Sequence, residues 1–324
     1  MPSPTFDVRT LETLVSAAVA APSIHNTQPW RFRLDPDTVT LEIRAARGRG
    51  LGHTDPHGRA LHVSVGGALL NLRVAVAHFG WEPVTRLLPR PHEPDLLAAV
   101  RLGRTARTST PTSGLYEALW RRHSSRFPFS DRPLPTPVIA ELIEAAHVEG
   151  ALLGRPEPDD TDRLLRLTGE AERRNATTPD RATESRRWSH DPDGTRLGVP
   201  PRAQGVQDSR GHVPMRDFTA NRKATALIAR PFETRSSILL LSTAHDRRTD
   251  WLRAGQALER VLLVATSHGV RASLLHQALE WSDLRELLTP APRRRREHAQ
   301  MVIRLGYGPE GPASPRRTAR QALQ

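Results

Sequence analysis

Residues 66–74 read Gly-Gly-Ala-Leu-Leu-Asn-Leu-Arg-Val, and residues 255–263 read Gly-Gln-Ala-Leu-Glu-Arg-Val-Leu-Leu. In both stretches apolar residues recur at the spacing of one helical face, and a further apolar run ends at a glycine, Gly80 or Gly269. The match indicates an internal duplication. It predicts two equivalent core helices, one in each half of the chain.

A second pair of matching stretches follows the first in the same order. Val100-Arg101-Leu102-Gly103 and Ile303-Arg304-Leu305-Gly306 each close an apolar, strand-like run with a glycine turn. The second pair lies farther apart in the sequence than the first, so one half carries an insertion. Together the two matches predict an α+β fold of two similar halves, each with a mostly antiparallel or mixed sheet and helices around its core helix.

The predicted halves are residues 1–108 and residues 109–324. Residues 171–217 contain little periodic apolar pattern and many Arg, Asp, Pro, Gly and Ser residues, which predicts a long irregular insertion that acts as a lid. Helices are expected at Asp7–Ala21, Leu61–Phe79, Leu115–Arg122, Thr136–Ala146 and Trp251–His268, and strands at Trp30–Leu34, Val39–Arg44, Ile238–Ser242 and Met301–Leu305.

The composition excludes several classes of function. The 324 residues include no cysteine, which rules out disulfides, thiolate nucleophiles, iron–sulfur clusters and cysteine zinc sites. The net charge of +12 comes almost entirely from arginine, because Lys223 is the only lysine. These arginines are scattered among acidic residues, whereas a nucleic-acid-binding surface is usually clustered, so we expect no nucleic-acid partner. The run Arg293–Arg296 is interpreted as a solvated loop.

The chain is expected to be a soluble, cytoplasmic protein with no membrane partner. Leu14–Ala21 imitates the apolar part of a signal peptide, but Asp7 and Glu12 stand where a positive flank belongs. No apolar run is expected to approach the ~20 residues that span a bilayer.

The loop from Pro22 to Trp30 is rich in hydrogen-bonding groups. Pro22-Ser23-Ile24-His25-Asn26-Thr27-Gln28-Pro29-Trp30 lies between a helix-like and a strand-like run and offers hydroxyl, imidazole and amide groups. Loops on a rigid scaffold often carry binding residues. This pattern favours a flat, polar heterocycle as ligand.

A second stretch offers cationic groups at alternating positions. In Arg122-His123-Ser124-Ser125-Arg126 an extended backbone would place Arg122, Ser124 and Arg126 on one side. Guanidinium groups bind phosphate oxygens through paired, charge-assisted hydrogen bonds. The stretch is therefore a candidate phosphate site, and the alternative is an exposed basic helix end.

Taken together, the two stretches resemble segments of the nitroreductase-like FMN-binding superfamily. There an Arg-x-Ser-x-Arg or Lys segment holds the FMN phosphate, and a Pro-Ser-x-x-Asn-x-Gln-Pro-Trp segment reaches the flavin from the partner subunit. The chain is most similar to the actinobacterial, dormancy-associated Acg-type group, in which two nitroreductase-like halves are fused. The resemblance implies an intramolecular pseudo-dimer that needs no second chain, and hence a monomer.

The resemblance also implies roles for twelve residues as cofactor-binding residues. Arg122, Ser124 and Arg126 would hold the phosphate and ribityl end of FMN, and Arg316 or Arg317 would close on the same phosphate. Pro22, Ser23 and Asn26 would contact the isoalloxazine with support from Gln28. Leu274, His276 and Gln277 would lie near the reactive nitrogen of the flavin. Since the flavin carries the hydride chemistry, we expect no catalytic side chain.

Two departures from the family pattern bear on activity. Ile24 stands where many nitroreductases have a small residue, and His276 with Gln277 replace an acidic residue and a glycine. A bulkier side chain beside the ring narrows the space in which a nicotinamide stacks. The two hypotheses are an FMN-dependent NAD(P)H oxidoreductase, with ping-pong transfer to nitroaromatic or quinone acceptors, and an FMN-sequestering protein with little turnover.

Other arrangements of polar residues carry less weight. His53, Asp55 and His57 could be written as metal ligands, but their Asp-Pro-x-Gly-Arg context is typical of a turn before a helix, so no metal is expected. Ser23 and His25 lack the nucleophile-elbow pattern of a hydrolase.

Overall fold

The computed structural model describes residues 6–104, 114–189, 196–219, 228–292 and 296–324. The predicted boundary between residues 108 and 109, Lys223, and residues 293–295 of the arginine run lie outside these ranges.

The first half is built on one sheet and one long helix. Asp7 begins the first helix, since its Oδ1 accepts a hydrogen bond from the Thr10 backbone N–H at 2.8 Å. The four strands are antiparallel, in the order β1-β2-β4-β3. The elements are α1 (Val8–Val19), β1 (Trp30–Asp35), β2 (Thr40–Ala45), α2 (Arg59–His78), β3 (Trp81–Leu87) and β4 (Leu96–Arg104).

The second half repeats this plan with an insertion. Its four-stranded antiparallel sheet has the order β5-β8-β10-β9, which matches the first sheet strand for strand, and β6 and β7 form a separate parallel pair. The elements are α3 (Leu115–Arg121), α4 (Thr136–Val148), β5 (Leu152–Gly154), α5 (Pro158–Thr177), α6 (Pro179–Arg187), β6 (Gln207–Asp208), β7 (Ala229–Arg230), β8 (Ser237–Thr243), α7 (Arg248–Ser267), β9 (Arg271–Leu275), α8 (Ser282–Leu288), β10 (His298–Gly306) and α9 (Ala319–Ala322).

The two duplicated helices, α2 and α7, pack directly against each other. They cross at Gly66 and Gly255, the glycines that begin the two repeat copies. A Cβ built on either one would lie 2.8 Å from the Cα of the other. The missing side chains let the two backbones approach closely at the centre of the molecule. The predicted duplication, helices and strands are thus confirmed.

The chain exchanges segments between its halves. The core of the first half includes Leu115 and Leu119 of α3, together with Ala319 and Ala322 of α9. At the C-terminus the Gln324 backbone N–H donates to the carbonyl of Phe32 on β1 at 2.9 Å. The segment that follows β10 therefore crosses from the second half to the first, and its path passes the candidate site.

The insertion is more regular than its sequence predicts. Residues 171–187, expected to be irregular, belong to α5 and α6. The expectation was wrong because the apolar positions are few: in α5 only Leu164, Thr168, Ala171 and Asn175 are buried, at helical spacing along an otherwise charged helix.

The expectation that no segment is long and apolar enough to span a bilayer was also wrong. Among the described residues, α2 meets the length and composition of a membrane span. Most of α2 is buried inside the protein, where it packs against α7. It is therefore a core helix of this fold.

Candidate functional site

Two adjoining cavities lie between the halves. The first has a volume of about 90 Å³ and the second about 440 Å³. Pro22, Ser23, Ser124 and Arg126 line both, so the two cavities meet at these residues. Ten of the twelve predicted cofactor-binding residues line one or both: Pro22, Ser23, Asn26, Arg122, Ser124, Arg126, Leu274, His276, Arg316 and Arg317.

The loop between α1 and β1 has a strained backbone. His25, Asn26 and Gln28 have φ values of 47°, 53° and 46°, in the left-handed region that non-glycine residues rarely adopt. Each such residue costs on the order of 1–3 kcal/mol and persists only where its surroundings enforce it. Here the Ser23 Oγ accepts from the Gln28 backbone N–H at 2.9 Å, and Trp30 is fully buried. Such strain is typical of ligand-binding loops.

Asn26 fastens the C-terminal segment to this loop. Its Nδ2 donates to the carbonyls of Gly198 at 2.8 Å and Pro315 at 2.9 Å. Its Oδ1 accepts from Nη1 of Arg316 at 2.7 Å. One amide therefore joins the loop, the insertion and the segment after β10 at the wall of the second cavity.

Gln28 makes a similar connection but does not line either cavity. It is fully buried; its Nε2 donates to the Arg196 carbonyl at 2.7 Å, and its Oε1 accepts from the Arg317 backbone N–H at 2.9 Å. Gln277 is likewise buried away from both cavities and donates to the Pro214 carbonyl at 3.1 Å. In this structure both glutamines position segments of the wall.

Replacing Gln28 with leucine is expected to lower the free energy of unfolding by about 2–4 kcal/mol. The change leaves the Arg317 N–H and the Arg196 carbonyl without their buried partner, and each such loss costs ~1–3 kcal/mol. Urea denaturation measures the effect, with Gln207→Leu on β6 as the matched glutamine control. Equal unfolding midpoints for the two variants would contradict this role of Gln28.

Five arginines line the second cavity: Arg122, Arg126, Arg196, Arg316 and Arg317. Arg126 and Arg316 are partly buried, and burial lowers their pKa to about 10 and about 9. Among the described residues, neither they nor Arg317 lies within salt-bridge distance of a carboxylate. Arg122 has only Glu259, at 3.4 Å. Buried cations without counter-ions are costly, and an anionic ligand would compensate for their charge.

A cluster of four polar side chains lies at the first cavity, and the sequence did not indicate it: His25, Arg216, His276 and Glu280. Nδ1 of His276 lies 2.7 Å from Oε1 of Glu280, and Arg216 forms an ion pair with the same carboxylate. Nη1 of Arg216 also lies 3.1 Å from Nε2 of His25. Arg216 comes from the insertion, so the distant segment is joined to the loop before β1 only by the folded structure.

Burial and charge control the protonation of this cluster. Burial and the neighbouring Arg216 lower the pKa of His25 well below its ordinary value, and they lower that of His276 as well. Burial alone would raise the pKa of Glu280, but Arg216 and the hydrogen bond with His276 lower it below the ordinary value. At neutral pH the cluster therefore consists of neutral imidazoles and a carboxylate paired with a guanidinium.

This cluster could also be considered as a metal site. Potential ligand atoms of His25, His276 and Glu280 lie within 4.8 Å of one another. However, the Arg216 guanidinium already contacts both Glu280 and His25. A cation would have to displace this positive charge, so we interpret the cluster as an ion pair with two supporting imidazoles.

Comparison with known proteins identifies the family. Residues 119–307 match the sequence model of the Nitroreductase family. The chain is also 31% identical to a Mycobacterium tuberculosis H37Rv protein named "Putative NAD(P)H nitroreductase Rv3131", over 98% of this chain and 92% of the relative. The chain belongs to the nitroreductase family. By this membership it is an oxidoreductase, and the resemblance seen in its sequence is confirmed.

Further relatives extend the comparison. The M. tuberculosis H37Rv protein named "Putative NAD(P)H nitroreductase acg" is 28% identical over 98% of this nitroreductase and 96% of the relative. Among solved structures, the FMN and NADPH-dependent nitroreductase NfnB from Sphigopyxis is 15% identical and aligns with 65% of this chain and 97% of its own, with a TM-score of 0.37. The assignment rests on the sequence matches alone.

Proposed function

We propose that this nitroreductase binds FMN in the two adjoining cavities and transfers hydride from NAD(P)H to nitroaromatic or quinone acceptors by a ping-pong mechanism. The observation that carries the proposal is the convergence of Arg122, Arg126, Arg316 and Arg317 on the second cavity. A phosphate monoester carries nearly two negative charges at neutral pH and matches guanidinium geometry.

The donor groups of the second cavity fit a phosphate. Nε of Arg122 and Nη1 of Arg317 are buried without a hydrogen-bond partner among the described residues. Ser124 lines both cavities between Arg122 and Arg126, so its hydroxyl lies where the phosphate end of a ligand would continue toward the first cavity. We therefore assign Arg122, Ser124, Arg126, Arg316 and Arg317 to the phosphate and ribityl end.

The walls of the first cavity fit the ring end. Pro22, Ser23, Ile24 and Leu274 line it together with His276. These groups combine apolar contact surface with a few hydrogen-bonding atoms, as cofactor sites commonly do. FMN, when bound, would supply the hydride-transferring ring, and the protein would bind, orient and shield it.

The neutral imidazoles of His25 and His276 affect the charge beside the proposed flavin ring. Because His25 and His276 are neutral at pH 7, they add no positive charge beside Arg216, and the pair Arg216–Glu280 is internally balanced. The cluster of His25, His276, Glu280 and Arg216 therefore offers hydrogen bonds with little net charge. No side-chain acid or base is required by this proposal.

The runner-up function is storage or sequestration of FMN with little turnover. Ile24 lines the first cavity, and Phe218, which directly follows the insertion, forms another part of its wall. Both side chains limit the space in which a nicotinamide or an acceptor would stack on the ring. The cytoplasmic location and monomeric state predicted from the sequence stay predictions.

Absorbance spectroscopy separates the two functions. Purified protein incubated with FMN and desalted should retain a flavin spectrum at about one FMN per chain. Anaerobic NADH or NADPH should bleach it, and a nitroaromatic compound should restore it. Retained flavin that NAD(P)H does not bleach would favour sequestration, whereas protein that takes up no FMN would contradict both functions.

A further inference from the structure

A glutamate is buried beneath the second cavity without a hydrogen-bond partner. Glu259 lies on α7, its relative exposure is 0%, and neither carboxylate oxygen makes a hydrogen bond among the described residues. Nε of Arg122 is 3.4 Å from Oε1 of Glu259 but is not aligned as a hydrogen bond. In the repeat, Glu259 occupies the position of Leu70, so the second copy places an acid where the first has a core leucine.

The surroundings of Glu259 contain few charges. Arg122 approaches from the segment after α3, and Arg316 acts from the C-terminal segment. From α2 the neighbour is Asn71, an uncharged amide that is itself buried without a hydrogen-bond partner among the described residues. Burial raises the pKa of Glu259 to about 7, even though Arg122, Asn71 and Arg316 each lower it.

Other titratable groups nearby are occupied or do not titrate in the same range. Glu149, after α4, forms ion pairs with Arg73 of α2 and Arg260 of α7. His123 lines the second cavity, and burial together with Arg122 lowers its pKa below the ordinary value, so it is neutral above pH 7. Arg316, with a pKa of about 9, and Arg126, with a pKa of about 10, stay largely protonated at pH 8, so proton exchange between pH 7 and 8 is assigned to Glu259.

Arg122 is shared between Glu259 and the second cavity. Its side chain is 5% exposed, its Nη2 donates to the Ala20 carbonyl at 3.1 Å, and it lines the cavity in which we place the phosphate. A phosphate dianion next to this guanidinium competes with Glu259 for the same positive charge. The ligand also adds negative charge near a carboxylate whose other polar neighbour on α2 is the uncharged amide of Asn71.

We propose that Glu259 is a positioning residue that couples binding of a phosphate monoester in the second cavity to uptake of one proton. Without the ester, the Glu259 carboxylate holds Arg122; with it, Arg122 pairs with the phosphate and Glu259 becomes a neutral carboxylic acid. The inference rests on the proposed function, because it takes the second cavity as the phosphate site.

Calorimetric titration with FMN in two buffers of different ionisation enthalpy measures the proton uptake directly. At pH 8 the wild-type protein should take up close to one proton per FMN, whereas Glu259→Gln should take up none. The FMN phosphate is already dianionic at this pH, since its second pKa is about 6. Glu286→Gln, on the exposed side of α8, is the matched control and should behave as the wild type.

The affinity should follow the same linkage. Above pH 7 the Kd of the wild-type protein for FMN should rise by up to about tenfold per pH unit. Binding takes up one proton, and the proton activity falls tenfold with each pH unit. Between pH 7 and 8, below the pKa of about 9 of Arg316, the Kd of Glu259→Gln should stay nearly constant, and at pH 8 it should be lower than that of the wild type. A structural role alone would not remove the pH dependence.

The possible failures are distinguishable. FMN binding without proton uptake in the wild type would overturn the coupling and leave the proposed function intact. If FMN does not bind, the proposed function fails, and inorganic phosphate then serves as the probe. Proton uptake with phosphate that is lost in Glu259→Gln would still support the coupling, whereas no binding or no uptake would overturn it. The measurement on the wild-type protein does not depend on whether any variant folds.

Discussion

Replacing Gly255 with alanine should lower the free energy of unfolding by about 3 kcal/mol or more. The added Cβ would lie 2.8 Å from the Cα of Gly66 and closer still to the Val63 carbonyl oxygen. Both are backbone atoms, so no side chain can rotate away, and α2 and α7 must move apart along their whole contact. Thermal unfolding should show a midpoint lowered by about 5 °C or more.

Gly48→Ala is the matched control, because a Cβ at Gly48 meets no atom within 4 Å. It should unfold within about 1 °C of the wild type, since surface substitutions away from special features rarely exceed ±0.5 kcal/mol. If Gly255→Ala unfolds at the same temperature as Gly48→Ala, the helices do not meet at the two glycines.

The repeat made most of the fold predictable. Residues 66–74 and 255–263 begin at the glycines that touch, so a similarity in the sequence corresponds directly to a contact in the structure. The matching stretches Val100–Gly103 and Ile303–Gly306 lie on β4 and β10, which occupy equivalent positions in their sheets. Local periodicity sufficed here because each half forms the same elements in the same order.

The same pair of matching stretches also shows that a repeat cannot predict which side chains are buried. Arg101 is exposed, whereas the equivalent Arg304 is fully buried and forms an ion pair with Glu233. Glu233 lies between β7 and β8, outside the two matching stretches. Burial of a charge depends on partners that only the tertiary structure supplies, so identical motifs acquire different environments.

Part of the candidate site was also predictable, because two of its segments carry local sequence motifs. The stretches around Pro22 and Arg122 carried a recognisable pattern, and the structure brings them to the same cavities. Arg216 and Glu280 gave no signal, because they are single residues in segments without a motif. Gln28 was predicted to support the residues that contact the flavin, but an isolated sequence cannot show that both ends of its amide are bonded to distant backbone groups.

Replacing Arg126 with glutamine should weaken FMN binding by about 10- to 100-fold. A charge-assisted hydrogen bond to a phosphate contributes ~1.5–3 kcal/mol, and each 1.4 kcal/mol is a tenfold change in Kd. Affinity for riboflavin, which lacks the phosphate, should change little. Fluorescence titration with both flavins measures the ratio, and the wild-type preference for FMN should largely disappear in the variant.

The stability of the ligand-free variant distinguishes this role from a structural one. Arg126 is partly buried and donates to the Ala203 carbonyl at 2.6 Å, but it forms no ion pair with a described carboxylate, and burial lowers its pKa to about 10. The hydrogen bond lost and the buried charge removed should offset each other to within ~1 kcal/mol. Arg121→Gln, an exposed neighbour, is the matched control. A variant that loses stability but binds FMN and riboflavin in the wild-type ratio would place Arg126 in the scaffold, and the phosphate would then depend on Arg122, Arg316 and Arg317 alone.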